Sequence, residues 1–200
     1  REAPRTVSNR GRFDIGHAGS PAKGCRSEQA APLLCRNGLS SRNMIEIALF
    51  QPDIAGNAGT IARLAACFGL SVTIIEPAGF VWSDSALRRA GMDYLDTVAL
   101  RRAASWQDFR EGLAGKRLVL LTTRASLPYV DFRFAAGDVL LLGRESSGVP
   151  DEVHAAADAR ITILMKAGMR SLNVALACAM VTGEALRQLQ AGLTLTTASP

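Results

Sequence analysis

Three segments of the chain combine glycines with polar or charged side chains at spacings that could do chemistry. They are Gln51–Arg63, Gly143–Pro150 and Lys166–Asn173. Glycine lets backbone run close against a flat ligand or another chain segment. The charged and amide side chains between the glycines could bind and orient that ligand, and stabilise charge during a reaction.

The first segment predicts the start of an amphipathic helix. Asn57 suits the cap of this helix, and Arg63 falls on the face opposite Ile61, one turn beyond Gly59. A guanidinium beside a glycine could hold a phosphate through two hydrogen bonds. The other interpretation is a surface arginine on an amphipathic helix.

The second segment directly follows the apolar run Val139–Leu142. It is neither a P-loop nor a dinucleotide-binding fingerprint. Glu145 could hydrogen-bond a ligand, although a strand-to-helix turn is the commoner explanation of such a segment taken alone.

The third segment predicts a second helix start, with Ser171 as its cap and Asn173 inside an otherwise apolar helix. A buried amide must find partners. Asn173 could bond the neighbouring glycine-rich loop or orient a substrate, and the residues alone leave both open.

Short apolar strands alternate with helices from Met44 onward, which predicts an α/β fold with a mainly parallel sheet flanked by helices. The predicted strands are 45–50, 71–76, 117–122, 139–142 and 159–165, with a weaker one near 97–100. The predicted helices are 58–68, 83–90, 105–113, 150–156 and 171–190. In such sheets ligands bind at the carboxyl ends of the strands, where the three segments lie.

The last predicted helix is apolar on nearly every side from Leu172 to Val181. A helix of this kind is buried on every face. It is therefore expected to thread through the domain or to pack in a dimer interface, because a run of about ten residues is short for a membrane span.

Composition narrows the function classes. The four cysteines form no CxxC pair, and neither they nor the two histidines have metal-ligand spacing. Cys67 and Cys178 lie in apolar helical patterns and are expected to be core thiols, which fits a reducing compartment. We expect a cytoplasmic protein without a metal and without a membrane span.

The net charge of +5 belongs to residues 1–43, which hold eight basic and three acidic residues. That extension is expected to be disordered. It is either a transit-type leader or sequence upstream of a natural start at Met44, and residues 44–200 are expected to form the folded domain. Within the domain, residues 88–133 carry nine basic and five acidic residues, which suits either RNA phosphates or a solvated charged face.

Taken in order, the three segments resemble the three motifs of the SPOUT superfamily of RNA 2′-O-methyltransferases. The corresponding runs are Asn57-x-Gly59-x-x-x-Arg63, Gly143-x-Glu145-x-x-Gly148-x-Pro150 and Arg170-Ser171-Leu172-Asn173. The stretches 75–80 and 88–94 are also similar to the bacterial enzymes that methylate the wobble cytidine or uridine of leucine tRNAs. The resemblance covers residues 44–200.

This resemblance implies a deep C-terminal trefoil knot, a homodimer with shared active sites, tRNA as substrate and S-adenosyl-L-methionine as cofactor. By motif position, Leu121, Gly143, Ile163 and Ser171 would line the cofactor pocket. Asn57 and Arg63 would bind substrate.

The resemblance also implies catalytic roles for Arg63, Glu145, Ser171 and Asn173, with Arg63 supplied by the partner chain. Family mechanisms often give this arginine the role of base. Because a guanidinium stays protonated, positioning a phosphate and stabilising the developing alkoxide is the physically easier role.

Two alternatives remain beside wobble methylation of tRNA. One is the same transfer to ribosomal RNA or to another tRNA site, since Gly183 stands where the wobble enzymes carry a tyrosine that aids tRNA binding. The other is a catalytically silent, dimeric RNA-binding protein.

Overall fold

The computed structural model describes residues 44–81 and 98–190. The extension 1–43, the predicted helix 83–90 and the basic pair at 88–89 lie outside the described residues. Within them, six parallel strands form one sheet in the order β3-β2-β1-β5-β4-β6. The predicted parallel α/β architecture is confirmed.

The strands and helices occur close to their predicted places. The strands are β1 (Glu46–Phe50), β2 (Ser71–Ile75), β3 (Ala99–Ala103), β4 (Leu118–Leu121), β5 (Val139–Leu142) and β6 (Ala159–Ile161). The helices are α1 (Ala55–Phe68), α2 (Trp106–Glu111), α3 (Asp151–Ala156) and α4 (Val174–Gln190). The last strand ends four residues earlier than predicted, because residues beyond Thr162 turn away into the loop that leads to α4.

Both faces of the sheet are covered, which explains why several strands are apolar throughout. On β1, Ile47 and Leu49 join the core that includes α1 and α4, whereas Ala48 and Phe50 join the core with Phe109 of α2. The edge strand β3 is mostly exposed, so its sequence signal was the weakest.

Local capping sets two helix ends. The Ser105 hydroxyl accepts from the backbone N–H of Asp108 at 3.1 Å, and the Asp108 carboxylate accepts from the N–H of Ala104 at 2.8 Å. This reciprocal pair fixes the start of α2. Gly69, with φ 66°, ends α1 in the left-handed conformation.

The last helix is not covered on every side within the single chain. Residues such as Cys178 and Val181 are buried, but Leu172 is 40% exposed, Leu176 60% and Met180 42%. The single chain therefore buries only the side of α4 that packs in the core shared with α1, and cover for the other side, by a dimer interface, stays a prediction. A stripe of apolar side chains remains on its outer side.

The two cysteines within the described residues also differ. Cys178 is buried, and burial raises the pKa of its thiol to about 12. Cys67 is exposed, so the expectation of a core position was wrong for this residue. Among the described residues, none of the helices combines the length and the apolar character that crossing a bilayer requires.

Candidate active site

The carboxyl ends of β1, β4, β5 and β6 surround a cavity of about 740 Å³. Its walls come from the loops that follow these strands and from the first turns of α1 and α4. Seven of the eight predicted site residues line it: Asn57, Leu121, Gly143, Glu145, Ile163, Ser171 and Asn173. This is the edge at which parallel α/β sheets bind ligands.

Arg63 is the eighth predicted residue, and it lies elsewhere. It is exposed on α1, opposite the buried Ile61 as predicted, and it does not line the cavity of its own chain. It is six residues beyond Asn57, which corresponds to about 9 Å along a helix axis. A role for Arg63 in this cavity would need a second copy of the chain.

Side-chain hydrogen bonds join the three motif segments. The Asn57 amide donates to the Glu145 carboxylate at 3.0 Å and accepts from the Asn173 amide at 3.0 Å. The backbone N–H of Asp53 donates to the other Glu145 oxygen at 2.8 Å. Glu145 therefore ties the loop after β5 to the start of α1, and Asn57 extends that tie to the start of α4.

This network corrects two capping predictions. Asn57 is not the cap of α1, because α1 begins at Ala55 and the side chain of Asn57 is bonded to the other two motifs. Ser171 is not the cap of α4 either. The Asn173 side-chain oxygen accepts from the N–H groups of Ala175 at 2.8 Å and Leu176 at 3.3 Å, so Asn173 caps that helix.

The Asn173 amide can do this because it is both acceptor and donor. Its oxygen caps α4, while its nitrogen reaches Asn57. Asn173 is exposed rather than buried in this chain. The sequence left two roles open for Asn173: bonding the neighbouring glycine-rich loop or orienting a substrate. Its contacts resemble the first role, but its partner is the side chain of Asn57 rather than loop backbone.

A second tie, which the sequence analysis missed, centres on Asp53. Its carboxylate accepts from Nε of Arg144 at 3.1 Å, from the Ser146 hydroxyl at 2.6 Å and from the Ser146 N–H at 3.1 Å. The hydrogen bond from Arg144, followed by those from Ser146, lowers the pKa of Asp53 to about 2. The only hint in the sequence was that Asp53 and Arg144 each follow a predicted strand, and these strands are neighbours in the sheet.

The backbone of the loop after β5 folds back on itself. Arg144 and Gly148 exchange two backbone hydrogen bonds of 3.0 Å, with Gly148 at φ 72°. A Cβ added at Gly143 would lie 2.7 Å from the carbonyl carbon of Gly148. Only glycine fits at 143, so this wall of the cavity is made of closely packed backbone.

His154 of α3 also lines the cavity, although no pattern in the sequence predicted a place for it in the site. Burial, followed by the nearby charges of Arg124 and Arg160, lowers the pKa of its imidazole. Its Nδ1 accepts from Nε of Arg160 at 3.2 Å, which leaves the proton of the neutral ring on Nε2. The cavity wall therefore includes a neutral histidine.

Four of the seven basic residues that the structure describes in the stretch 88–133 form ion pairs with carboxylates. Arg102 pairs with Glu76, Lys116 with Glu46, Arg117 with Asp138 and Arg124 with Asp151. These ion pairs favour the interpretation of a solvated charged face. Among the described residues there is also no group of three or more His, Cys, Asp or Glu side chains that could hold a metal ion.

Comparison with known proteins agrees with this geometry. The family model described as the SpoU rRNA Methylase family matches residues 44–183. A tRNA (cytidine(34)-2′-O)-methyltransferase from Beijerinckia indica subsp. indica is 60% identical over 147 residues, which cover 72% of this chain and 92% of that protein.

Solved structures give the same result. One, from work on 2-OH methylation of C/U34 on tRNA, is 40% identical with a TM-score of 0.71, and the match covers 75% of this chain and 99% of that one. An AdoMet-bound rRNA methyltransferase from Sinorhizobium meliloti is 27% identical with a TM-score of 0.67, covering 80% and 61%. The resemblance carried by the three motifs is confirmed, and the chain belongs to the SpoU rRNA methylase family.

Proposed function

We propose that this protein transfers a methyl group from S-adenosyl-L-methionine to the ribose 2′-hydroxyl of the wobble cytidine or uridine of tRNA. The observation that carries the proposal is the cavity whose walls bring Asn57, Glu145 and Asn173 into one hydrogen-bonded set. The similarity to a tRNA (cytidine(34)-2′-O)-methyltransferase at 60% identity supports the substrate.

The cavity fits the cofactor in size and character. Ligand pockets usually occupy about 300–1,000 Å³, and this one measures about 740 Å³. Leu121 and Ile163 would provide apolar contact, and the backbone around Gly143 and Ser171 would provide hydrogen bonds at short range. When bound, the cofactor supplies an electrophilic methyl group on a sulfonium.

The residues of the chain position the substrate hydroxyl and stabilise the charge that develops on it. Glu145, Asn57 and Asn173 hold the three loops in register, and Ser171 lies on the same wall. In-line placement of the hydroxyl accounts for much of the rate of such a transfer. Arg63 of a partner chain would stabilise the alkoxide as it develops and hold the adjacent phosphate.

The shared active site requires a homodimer. The exposed apolar side chains on the outer side of α4, Leu176 and Met180, support this, because such a surface is normally covered. We expect a dimer at micromolar concentration by light scattering. Leu176→Asp should give monomers, whereas Val130→Asp, which changes a similarly exposed apolar residue outside α4, should leave the dimer intact.

Three finer features belong to the same proposal. The segment from β6 through α4 forms the trefoil knot of the SPOUT fold, residues 44–200 form the methyltransferase domain, and the tRNA substrates are leucine isoacceptors. The family match over residues 44–183 supports the first two. Deleting residues 1–43 should leave folding and activity intact, and loss of either would contradict this domain boundary.

The test of the proposed mechanism is Arg63→Ala with Arg63→Lys beside it. Removing one donor that stabilises developing charge typically slows turnover about 100-fold or more. We expect such a loss of methyl transfer to tRNA, with partial recovery in the lysine variant. Binding of S-adenosylhomocysteine and the dimer mass should stay nearly unchanged, because the contacts proposed for Arg63 are with the RNA phosphate and the developing alkoxide rather than with the cofactor. Undiminished turnover by Arg63→Ala would remove this residue from the mechanism.

A further inference from the structure

The loop between β6 and α4 presents two basic side chains beside the cavity. Lys166 and Arg170 are both exposed, and Arg170 lines the cavity. A turn in which Met169 N–H donates to the carbonyl of Lys166 at 3.1 Å brings the two ends of this short stretch together. No acidic residue occurs from Ala159 to Asn173.

The other basic side chains along this edge are neutralised. Arg124 pairs with Asp151 at 2.8 Å, and Arg144 pairs with Asp53. Within residues 44–81 and 98–190, no ion pair joins Lys166 or Arg170 to a carboxylate. The positive charge that remains for a partner at the mouth of the cavity is therefore concentrated on one loop.

Apolar side chains alternate with these charges. Leu164 is 73% exposed and Met169 is 62% exposed. A single-stranded RNA segment offers the matching partners, since its unstacked bases have apolar faces and are joined by phosphates. A double-stranded segment would offer the phosphates without the base faces.

We propose that Lys166 and Arg170 bind the phosphates that flank the methylated nucleotide, with Leu164 and Met169 against the neighbouring unpaired bases. This inference rests on the proposed function and names the RNA-binding surface of that site. It assigns residues 164–170 of the loop to recognition of a single-stranded RNA segment, whereas Ile163 and Ser171 of the same loop belong to the proposed cofactor pocket.

The experiment uses Lys166→Ala, Arg170→Ala and their double variant, with Lys166→Arg as the conservative change. Arg133→Ala is the matched control, because Arg133 is also exposed but lies in the segment before β5, at the opposite edge of the sheet. Equilibrium binding of unmodified tRNA is measured over a range of salt concentrations. Binding of S-adenosylhomocysteine and molecular mass are measured in parallel.

We expect each alanine variant to bind tRNA about tenfold more weakly and to lower the slope of log affinity against log salt by about 0.7, the value for one lost contact to a single strand. Lys166→Arg should keep the wild-type slope, and Arg133→Ala should change neither quantity. Binding of S-adenosylhomocysteine and the dimer mass should stay within twofold of wild type.

Three results would overturn the inference. They are an unchanged salt slope in the double variant, an equal effect of Arg133→Ala, and a loss of S-adenosylhomocysteine binding or of the dimer in place of RNA binding. Failure of the proposed function looks different, because the wild-type protein itself would then bind no S-adenosylhomocysteine or methylate no tRNA.

Discussion

The loop after β5 and the loop after β6 line the same cavity but are held in different ways. Each of residues 144–146 forms a side-chain hydrogen bond with the segment 53–57, through Asp53 or Asn57. Residues 164–173 are mostly exposed and are tied at one end by Asn173. The difference indicates one wall built in advance for a ligand of fixed shape, and another that can adapt to a larger partner.

The largest expected effect comes from Gly143→Ala in the first loop. The new Cβ would meet the backbone of Gly148 at 2.7 Å, so the loop must shift. Overpacking of this kind costs about 1–3 kcal/mol. We expect binding of S-adenosylhomocysteine at least tenfold weaker by calorimetry, together with a lower melting temperature. Near wild-type binding would mean that this wall is not preformed.

Asp53→Asn should have the next largest effect. It removes the charge that Arg144 and Ser146 share, while the Asp53 N–H can still reach Glu145. Hydrogen bonds to charged groups contribute about 1.5–3 kcal/mol, part of which this partly exposed site loses to solvent screening. We expect about fivefold weaker cofactor-product binding. Ser146→Ala, which removes only the hydroxyl bond, should cause a smaller loss.

The acid dependence of the same tie gives a smaller effect. The pKa of Asp53 is lowered from its usual value of 3.8 to about 2. Stabilisation by a carboxylate with a depressed pKa is present above the usual pKa and is lost as the pH falls through the folded value. The difference in melting temperature between wild type and Asp53→Asn should be constant from pH 8 to pH 5 and shrink below pH 4. A difference that persists unchanged to pH 3 would contradict the assigned charge state.

Gly168→Ala in the second loop should have the smallest effect on the cofactor site. Gly168 has φ 89°, so alanine is strained there, but an added Cβ would meet no heavy atom within 4 Å. We expect a loss of about 1–2 kcal/mol in stability, and binding of S-adenosylhomocysteine within threefold of wild type. A tenfold loss would place both loops in the same rigid unit and remove the contrast between them.

The sequence predicted the sheet well because its central strands are buried on both faces. An apolar run of four residues such as Val139–Leu142 is too short for a buried helix and is typical of a buried strand. Its bounds were predicted correctly. The edge strand β3 lies two to three residues beyond its predicted place, because its exposed arginines weaken the apolar pattern. The cap of α4 was predicted two residues early, at Ser171 in place of Asn173. Ser171 and Asn173 are both good caps, and only the distant contact of Asn173 with Asn57 distinguishes them.

The site was predicted from family motifs more than from physical pattern. Leu121 and Ile163 carry no local signal of ligand binding and were named by motif position alone, and both lie on the wall of the cavity. The Asp53–Arg144 tie was missed because the two residues are 91 positions apart. Nothing in either local sequence indicates that a parallel sheet brings their loops together.

The measurement that tests the central claim most directly is nucleoside mass spectrometry of tRNA incubated with the protein and S-adenosyl-L-methionine. The tRNA should come from a strain that lacks the enzyme. We predict new 2′-O-methylcytidine or 2′-O-methyluridine that maps to the wobble position of leucine tRNAs. Methylation of ribosomal RNA or of another tRNA position would contradict the assigned substrate, and binding of S-adenosylhomocysteine without transfer to any RNA would contradict the assigned activity.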